Sequence, residues 1–171
     1  MELVRVARSN ERLDEIWLQW DAQCERFGES FKDYATASMS VLRELAEEPE
    51  TRSAAVFALV DESGAYLAIC QVNVARIPGY DGPVLRLRHL VLAPEFDFSE
   101  EIPDDRYADV LAEVFTKVSL LSENTMAADH IKIHLRSRGD REFFKVFEEH
   151  LREEAAFATV RMQGAWLYIT K

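Results

Sequence analysis

Apolar and polar positions alternate along Val84–Pro94 (VLRLRHLVLAP), as in a β-strand, but the alternation changes parity in the middle. Leucines occupy every second position on both sides of Arg88-His89, and the two sets are out of step by one residue. One extra residue that bulges out of a strand produces this slip. The pattern therefore predicts a long central strand with a kink at Arg88-His89.

Shorter patterns precede this strand. Period-two alternation predicts a strand, helical periodicity predicts helices, and two apolar runs around Asp61-Glu62-Ser63-Gly64 predict a hairpin. In chain order the predicted elements are a strand over Leu3–Ala7, a helix capped by Ser9 or Asn10 and ended by Gly28, a helix over Tyr34–Glu48, and hairpin strands Ala54–Val60 and Ala65–Ala75.

The part of the chain after the central strand alternates between helical and strand patterns. Pro103-Asp104 begins a helix with an apolar face that includes Tyr107, and His130–Arg136 (HIKIHLR) alternates strictly. A helix over Arg141–Glu154 and a strand pair end the chain, Phe157–Met162 with Ala165–Thr170. The order β-α-α-β-β-β-α-β-α-β-β predicts an α/β (α+β) fold with a mixed central sheet. The length of 171 residues suits a single domain over 1–171.

The composition excludes several classes of function. A net charge of −11 argues against a general nucleic-acid or anionic-membrane binder, because both need Lys and Arg at phosphate groups. No apolar run approaches the roughly 20 residues that cross a bilayer, and we expect a cytoplasmic protein. Cys24 and Cys70 lack the spacing of a zinc site or a disulfide framework, so we expect two buried thiols.

Three stretches carry a resemblance to a known family. They are the hairpin VFALVDESGAYLAICQVNV, the kinked strand LRLRHLVLAP, and HIKIHLR followed by FFKVF. Together with the order of elements along nearly the whole chain, they resemble the GNAT superfamily of acyl-CoA N-acyltransferases. The resemblance implies helices on both faces of the sheet and acetyl-CoA, or another acyl-CoA, in a V-shaped opening between the central strand and HIKIHLR. The amides of Leu90, Val91 and Leu92 would then pair with the pantetheine arm.

The sequence departs from the family pattern where phosphate binding and catalysis are expected. GNAT enzymes hold the pyrophosphate on a Gln/Arg-x-x-Gly-x-Gly/Ala loop at a helix N-terminus, where free N–H groups and the helix dipole attract it. Glu95–Asp105 has no glycine and six acids. We expect a carboxylate at the helix N-cap to occupy these amides, and Pro103 removes one donor. Phe147 falls where a tyrosine often acts as general acid, and Arg88 where a carboxylate base is frequent.

Basic residues concentrate on the two strands that should line the opening. We predict that Lys132, His134 and Arg136 form a cationic wall of the cleft. The alternative, a solvated face of a strand near the sheet edge, stays open. The candidate site residues are His89 and Arg88 for catalysis, Arg136, Arg138 and Arg141 for phosphate, and Tyr80, Arg86 and His134 for the substrate.

Other residues favour structural roles. His130 and His134 lie about 13 Å apart along a strand, too far to share a metal ion, and we expect no metal. We expect Trp17, Trp20 and Trp166 in the core. Whether Phe96 and Phe98 plug the opening is a question for the structure.

Three functions are compatible with these features. The first is an acyl-CoA-dependent N-acyltransferase with non-standard cofactor binding, in which the turn from Arg136 to Arg141 holds phosphate. The second is a catalytically silent binding or regulatory module that accepts an acidic ligand or a partner's segment and can form a homodimer. The third is an acyltransferase that takes its acyl group from an acidic carrier protein. The expected partner is a small-molecule amine or an acidic ligand.

Overall fold

The computed structural model describes residues 1–153 and 157–171, and its centre is a seven-stranded sheet in the order β1-β2-β3-β4-β5-β7-β6. The β4–β5 pair is parallel and the other neighbouring pairs are antiparallel. The strands are β1 (Glu2–Val6), β2 (Ala54–Val60), β3 (Tyr66–Arg76), β4 (Pro83–Leu92), β5 (His130–His134), β6 (Thr159–Gln163) and β7 (Trp166–Thr170). The helices are α1 (Arg12–Arg26), α2 (Thr36–Glu47), α3 (Glu95–Phe98), α4 (Asp104–Glu123) and α5 (Arg138–Glu153).

The predicted order of strands and long helices is confirmed, but the predicted starts of two helices were wrong. Ser9 and Asn10 do not cap α1, because they lie in a 3-10 turn and the N-cap is Glu11, with φ of 56°. Helix α5 begins at Arg138, earlier than the predicted Arg141. The predicted end of that helix at Glu154 lies outside the described residues.

Helices on both faces bury two apolar clusters against the sheet. Helices α4 and α5 cover one face, where the core includes Leu85 and Leu87 of β4 and Ile131 and Ile133 of β5. Helices α1 and α2 cover the other face over β1 to β4. The cluster under α1 and α2 includes no residue of β5, β6 or β7. On this second face, β5, β6 and β7 therefore have no described helix over them.

The predicted kink in β4 is confirmed as a β-bulge. Gln71 of β3 pairs with Arg88 and Ile69 pairs with Val91, so Cys70 lies opposite two residues. His89 is one of them and has a left-handed backbone with φ of 52°. The extra residue keeps the leucines before and after it on the same buried face.

Strands β4 and β5 part at the bulge, as the resemblance to the GNAT superfamily implied. Their pairing runs from Val84 with His130 to Leu87 with Ile133 and then stops. Strand β4 continues to Leu92, while β5 ends at His134. An opening therefore lies between the carboxyl ends of the two strands.

None of the helices in residues 1–153 and 157–171 is long and apolar enough to cross a membrane.

Candidate functional site

A cavity of about 290 Å³ occupies the opening between β4 and β5. One wall is β4 itself, with Leu90, Val91 and Leu92, and the opposite wall begins at Arg136. These four predicted site residues therefore lie together. The remaining lining residues are Tyr34, Ala35, Asp97, Tyr107, Ser137 and Asp140.

Two tyrosines that sequence reasoning assigned to helices line this cavity. Tyr34 is 7% exposed and its hydroxyl donates to the Leu92 carbonyl at 2.8 Å. The hydroxyl of Tyr107 donates to Asp140 at 2.7 Å. Burial raises the pKa of both phenols, so both keep their protons at neutral pH.

Phe96 and Phe98 do not plug the opening. The Phe98 ring packs against Tyr34 at 5.5 Å between centroids, and the Phe96 ring meets the edge of Tyr107 at 6.3 Å. Both phenylalanines lie behind the tyrosines, which form the cavity wall. The acidic side chain of the same segment, Asp97, does face the cavity, and desolvation raises the pKa of its carboxyl.

Ser137 and Asp140 fix the start of α5 beside the cavity. The Ser137 amide donates to an Asp140 carboxylate oxygen at 3.0 Å, and the Asp140 amide donates to the Ser137 hydroxyl at 2.8 Å. This reciprocal arrangement is a capping box. The spacing Ser-x-x-Asp was readable in the sequence and would have predicted the earlier helix start.

His89 lies in the bulge at which the two strands part, and it is not among the residues that line the cavity. Its Nδ1 is 3.4 Å from the Ser38 hydroxyl of α2, and the guanidinium of Arg136 also contacts that hydroxyl. Burial lowers the pKa of His89 below 6.5, and the cations Arg88 and Arg136 lower it further. The imidazole is therefore neutral at physiological pH and can accept a proton.

The first turn after β4 does not present free amides to a phosphate group. The amides of residues 96–99 donate to carbonyls of residues 93–95 within α3, at 3.0 Å each. The expected N-cap carboxylate was wrong, because the N-cap of α4 is Pro103 and no side chain caps it. Backbone carbonyls therefore occupy the amides of residues 96–99, whereas no side chain caps the start of α4.

Of the three residues predicted to form a cationic wall, only Arg136 lines the cavity. Lys132 and His134 do not line the cavity; they stand on the outward face of β5, beside Trp166 of β7. Trp166 is half-exposed there and is not part of the core. The register places Arg86 beside Lys132. We call Arg86, Arg88 and Lys132 the cationic face.

The remaining predicted residues, Tyr80, Arg138 and Arg141, do not line the cavity. Tyr80 packs against His130 with ring centroids 4.9 Å apart, at the amino end of β5, opposite the opening. Arg138 is exposed and pairs with Glu142 at 2.7 Å. Arg141 donates to the Arg136 carbonyl at 3.0 Å and so supports the turn.

Two further side chains have structural surroundings. Phe147 packs on Phe115 at 5.0 Å between ring centroids and is partly buried against the core. His130 contacts Asp81 at 2.6 Å and Thr170 at 3.1 Å. Among the residues that the structure describes, no group of three His, Cys, Asp or Glu side chains is close enough to hold a metal ion.

Comparison with solved structures finds similarity over nearly the whole chain. N-myristoyltransferase of Saccharomyces cerevisiae, crystallised with bound myristoyl-CoA, is 13% identical with a TM-score of 0.50 and matches 98% of this chain and 39% of that chain. An aminoglycoside 6'-N-acetyltransferase of Acinetobacter baumannii is 11% identical with a TM-score of 0.48, over 95% and 97%. A GNAT-family acetyltransferase of Staphylococcus aureus is 10% identical with a TM-score of 0.43, over 99% and 98%. No family model and no curated protein sequence matches the chain.

The element order, the bulge in β4 and the parted parallel strands define the fold. The similarity to the myristoyltransferase extends over these same elements. The chain has the GNAT fold of acyl-CoA N-acyltransferases.

Proposed function

We propose that this protein is an N-acyltransferase that binds the pantetheine arm of an acyl donor between β4 and β5. The observation that carries the proposal is the end of β4–β5 pairing at Leu87, beyond which β4 borders a cavity of about 290 Å³. An unpaired strand edge offers N–H and C=O groups to an extended ligand. The amide-bearing pantetheine arm matches such an edge.

The pantetheine arm of the donor fits the site, whereas the pyrophosphate does not. Leu90, Val91 and Leu92 give the arm a strand edge and an apolar wall. The pyrophosphate of CoA meets occupied amides at residues 96–99 and an acidic segment from Glu95 to Asp105. We infer that the pantetheine arm supplies most of the donor's affinity.

The acyl thioester supplies a carbonyl carbon to which the acceptor nitrogen bonds as the C–S bond breaks. His89 is neutral and lies in the bulge where the two strands part, and we infer that it accepts the proton that the nitrogen loses. Tyr34 and Tyr107 hold their protons and donate hydrogen bonds to the Leu92 carbonyl and to Asp140, so they shape the cavity wall. Positioning supplies the rest of the catalysis.

Calorimetry with two donors tests the proposal. Acetyl-CoA and S-acetylpantetheine should bind with affinities that differ by less than about tenfold, because the phosphates add little. Binding heat from neither donor would end the proposal and leave a catalytically silent module. Binding that requires the nucleotide part would contradict the inferred division of affinity.

A carrier protein is the second candidate donor. The occupied amides at residues 96–99 favour it, because a carrier presents its pantetheine arm without a nucleotide. Arg138 is exposed beside the opening and can meet an acidic carrier. The double variant Arg138→Glu/Arg141→Glu should lose carrier binding and keep S-acetylpantetheine binding. Unchanged carrier binding in this variant would exclude the candidate.

A further inference from the structure

The cationic face combines charges from two strands on one side of the sheet. Arg86 and Arg88 alternate with Leu85 and Leu87, which are buried under α4 and α5, so the arginines point to the opposite side. Lys132 is in register with Arg86 across the parallel pair. Neighbouring strands are about 4.8 Å apart, so the two cations are direct neighbours.

No carboxylate in residues 1–153 or 157–171 forms an ion pair with the cationic face. The register of β4, β5, β7 and β6 places no Asp or Glu on this side of the sheet, although the chain has 31 acids. Burial lowers the pKa of Lys132, and the charge of Arg86 lowers it further. The like charges are therefore left uncompensated.

Arg86 also has an unmet hydrogen-bond donor. Its Nε is buried and has no partner among the described residues. Buried donors without acceptors are unfavourable and uncommon in folded proteins, and they are explained when a ligand supplies the acceptor. An oxyanion would satisfy this donor and the neighbouring charges together.

Aromatic rings form a flat wall next to these cations. The Lys132 ammonium lies 4.7 Å from the ring centroid of Trp166 and 4.8 Å from that of Tyr168. Cation–π contacts orient an ammonium without neutralising its charge. The rings therefore hold Lys132 in place and leave it available to an anion.

The cationic face borders the bulge that contains His89. Arg88 directly precedes His89, and its charge lowers the pKa of both His89 and His134. Arg86 precedes Arg88 by two residues on β4, which places it about 7 Å from Arg88 along the strand. A small molecule can therefore reach from the cationic face to His89.

We infer that the acyl acceptor is an amine that also carries an oxyanion, a carboxylate or a phosphate, and that the cationic face binds this oxyanion. The inference rests on the proposed function, which requires an amine at His89. It defines the acceptor class by two features, an amino group and an anionic group within about 10 Å of it.

Titration of the whole protein with succinate and, separately, with inorganic phosphate tests the inference without any donor. The indole N–H signal of Trp166, assigned with Trp166→Phe, should shift saturably in ¹⁵N NMR spectra. The stronger of the two probes identifies the oxyanion as carboxylate or phosphate. In Arg86→Gln/Lys132→Gln the affinity should fall at least about tenfold, since charged hydrogen bonds are lost. Arg43→Gln, an exposed ion-paired arginine of α2, is the matched control and should bind as the unaltered protein does.

The melting temperature separates ligand binding from a structural role. In phosphate-free buffer, Arg86→Gln/Lys132→Gln should melt no lower than the unaltered protein, because like-charge repulsion is relieved. A lower melting temperature would assign the cations to stability and overturn the inference. So would a Trp166 signal that neither probe shifts, or one that shifts equally in the double variant.

The two proposals fail separately. Calorimetry with S-acetylpantetheine measures donor binding in the opening, whereas the titration with succinate or phosphate measures oxyanion binding at the cationic face. Donor binding without saturable probe binding overturns the acceptor class alone. Probe binding without donor binding overturns the proposed function, and the assignment of the oxyanion to an acyl acceptor falls with it.

Discussion

His89 combines a left-handed backbone with a side chain surrounded by cations. A φ of 52° is uncommon outside glycine, and asparagine tolerates it better than most residues do. The position therefore allows a substitution that removes the imidazole and keeps the bulge. This substitution therefore tests the chemical role of the imidazole without changing the backbone of the bulge.

His89→Asn should lower kcat/KM by about 10²- to 10⁴-fold, because a general base is lost. The bulge should persist, so the melting temperature and the affinity for S-acetylpantetheine should change little. Steady-state kinetics and calorimetry measure the two effects. Full activity in this variant would assign the proton transfer to water or to another group.

The pH profile gives a second prediction for His89. Arg88 precedes it on β4, Arg136 and His134 approach from the end of β5, and Ser38 approaches from α2. Because its pKa lies below 6.5 and the neutral form is the base, kcat/KM should stay high at neutral pH and fall only as pH drops through that lowered pKa. A midpoint above 6.5 in the acidic limb would contradict this assignment. His89→Asn should lack the limb.

At the level of secondary structure, periodicity predicted the elements well and the cavity walls poorly. The parity change at Arg88-His89 identified the bulge, since only an inserted residue keeps the leucines on one face. The sequence did not predict that Tyr34 and Tyr107 line the cavity. Helical periodicity identifies an apolar stripe but not whether the residues at its edge contact the core or a cavity. The two alternatives for Lys132 stayed open because alternation shows that a side chain points outward without showing what lies above it. That depends on which strands α1 and α2 cover.

Helix α5 offers a test of stability at the element scale. Ser137→Ala removes the hydroxyl that accepts a hydrogen bond from the Asp140 amide. This loss should lower the free energy of unfolding by about 1 kcal/mol. Ser40→Ala, on the exposed face of α2, is a matched control that should stay within about 0.5 kcal/mol. Urea unfolding of both variants measures the difference. Equal costs would mean that the capping box does not stabilise α5.

The charge of the whole molecule is distributed unevenly. The net charge is −11, and the segment from Glu95 to Asp105 places six acids where the CoA phosphates would lie. The cationic face is on the outward side of the sheet. A molecule with equal positive and negative charge can approach such a protein without strong long-range repulsion.

Ionic strength should therefore affect the two donors differently. Raising salt from about 0.01 M to 0.15 M shortens the Debye length from about 30 Å to about 8 Å. Acetyl-CoA should bind several-fold tighter at the higher salt because repulsion by the acidic segment is screened, whereas uncharged S-acetylpantetheine should show no change. Calorimetry at both salt concentrations measures this. Weaker acetyl-CoA binding at higher salt would indicate that its phosphates contact cations instead.

The two sulfhydryls of the chain are both shielded. Cys70, opposite the bulge, is fully buried and burial raises its pKa to about 12; Cys24 is also buried, and burial raises its pKa as well. Thiolates, not thiols, react with disulfide reagents. A chromogenic disulfide in the assay mixture will thus leave the protein unmodified and report every thiol released by acyl transfer, giving a continuous readout against a flat background.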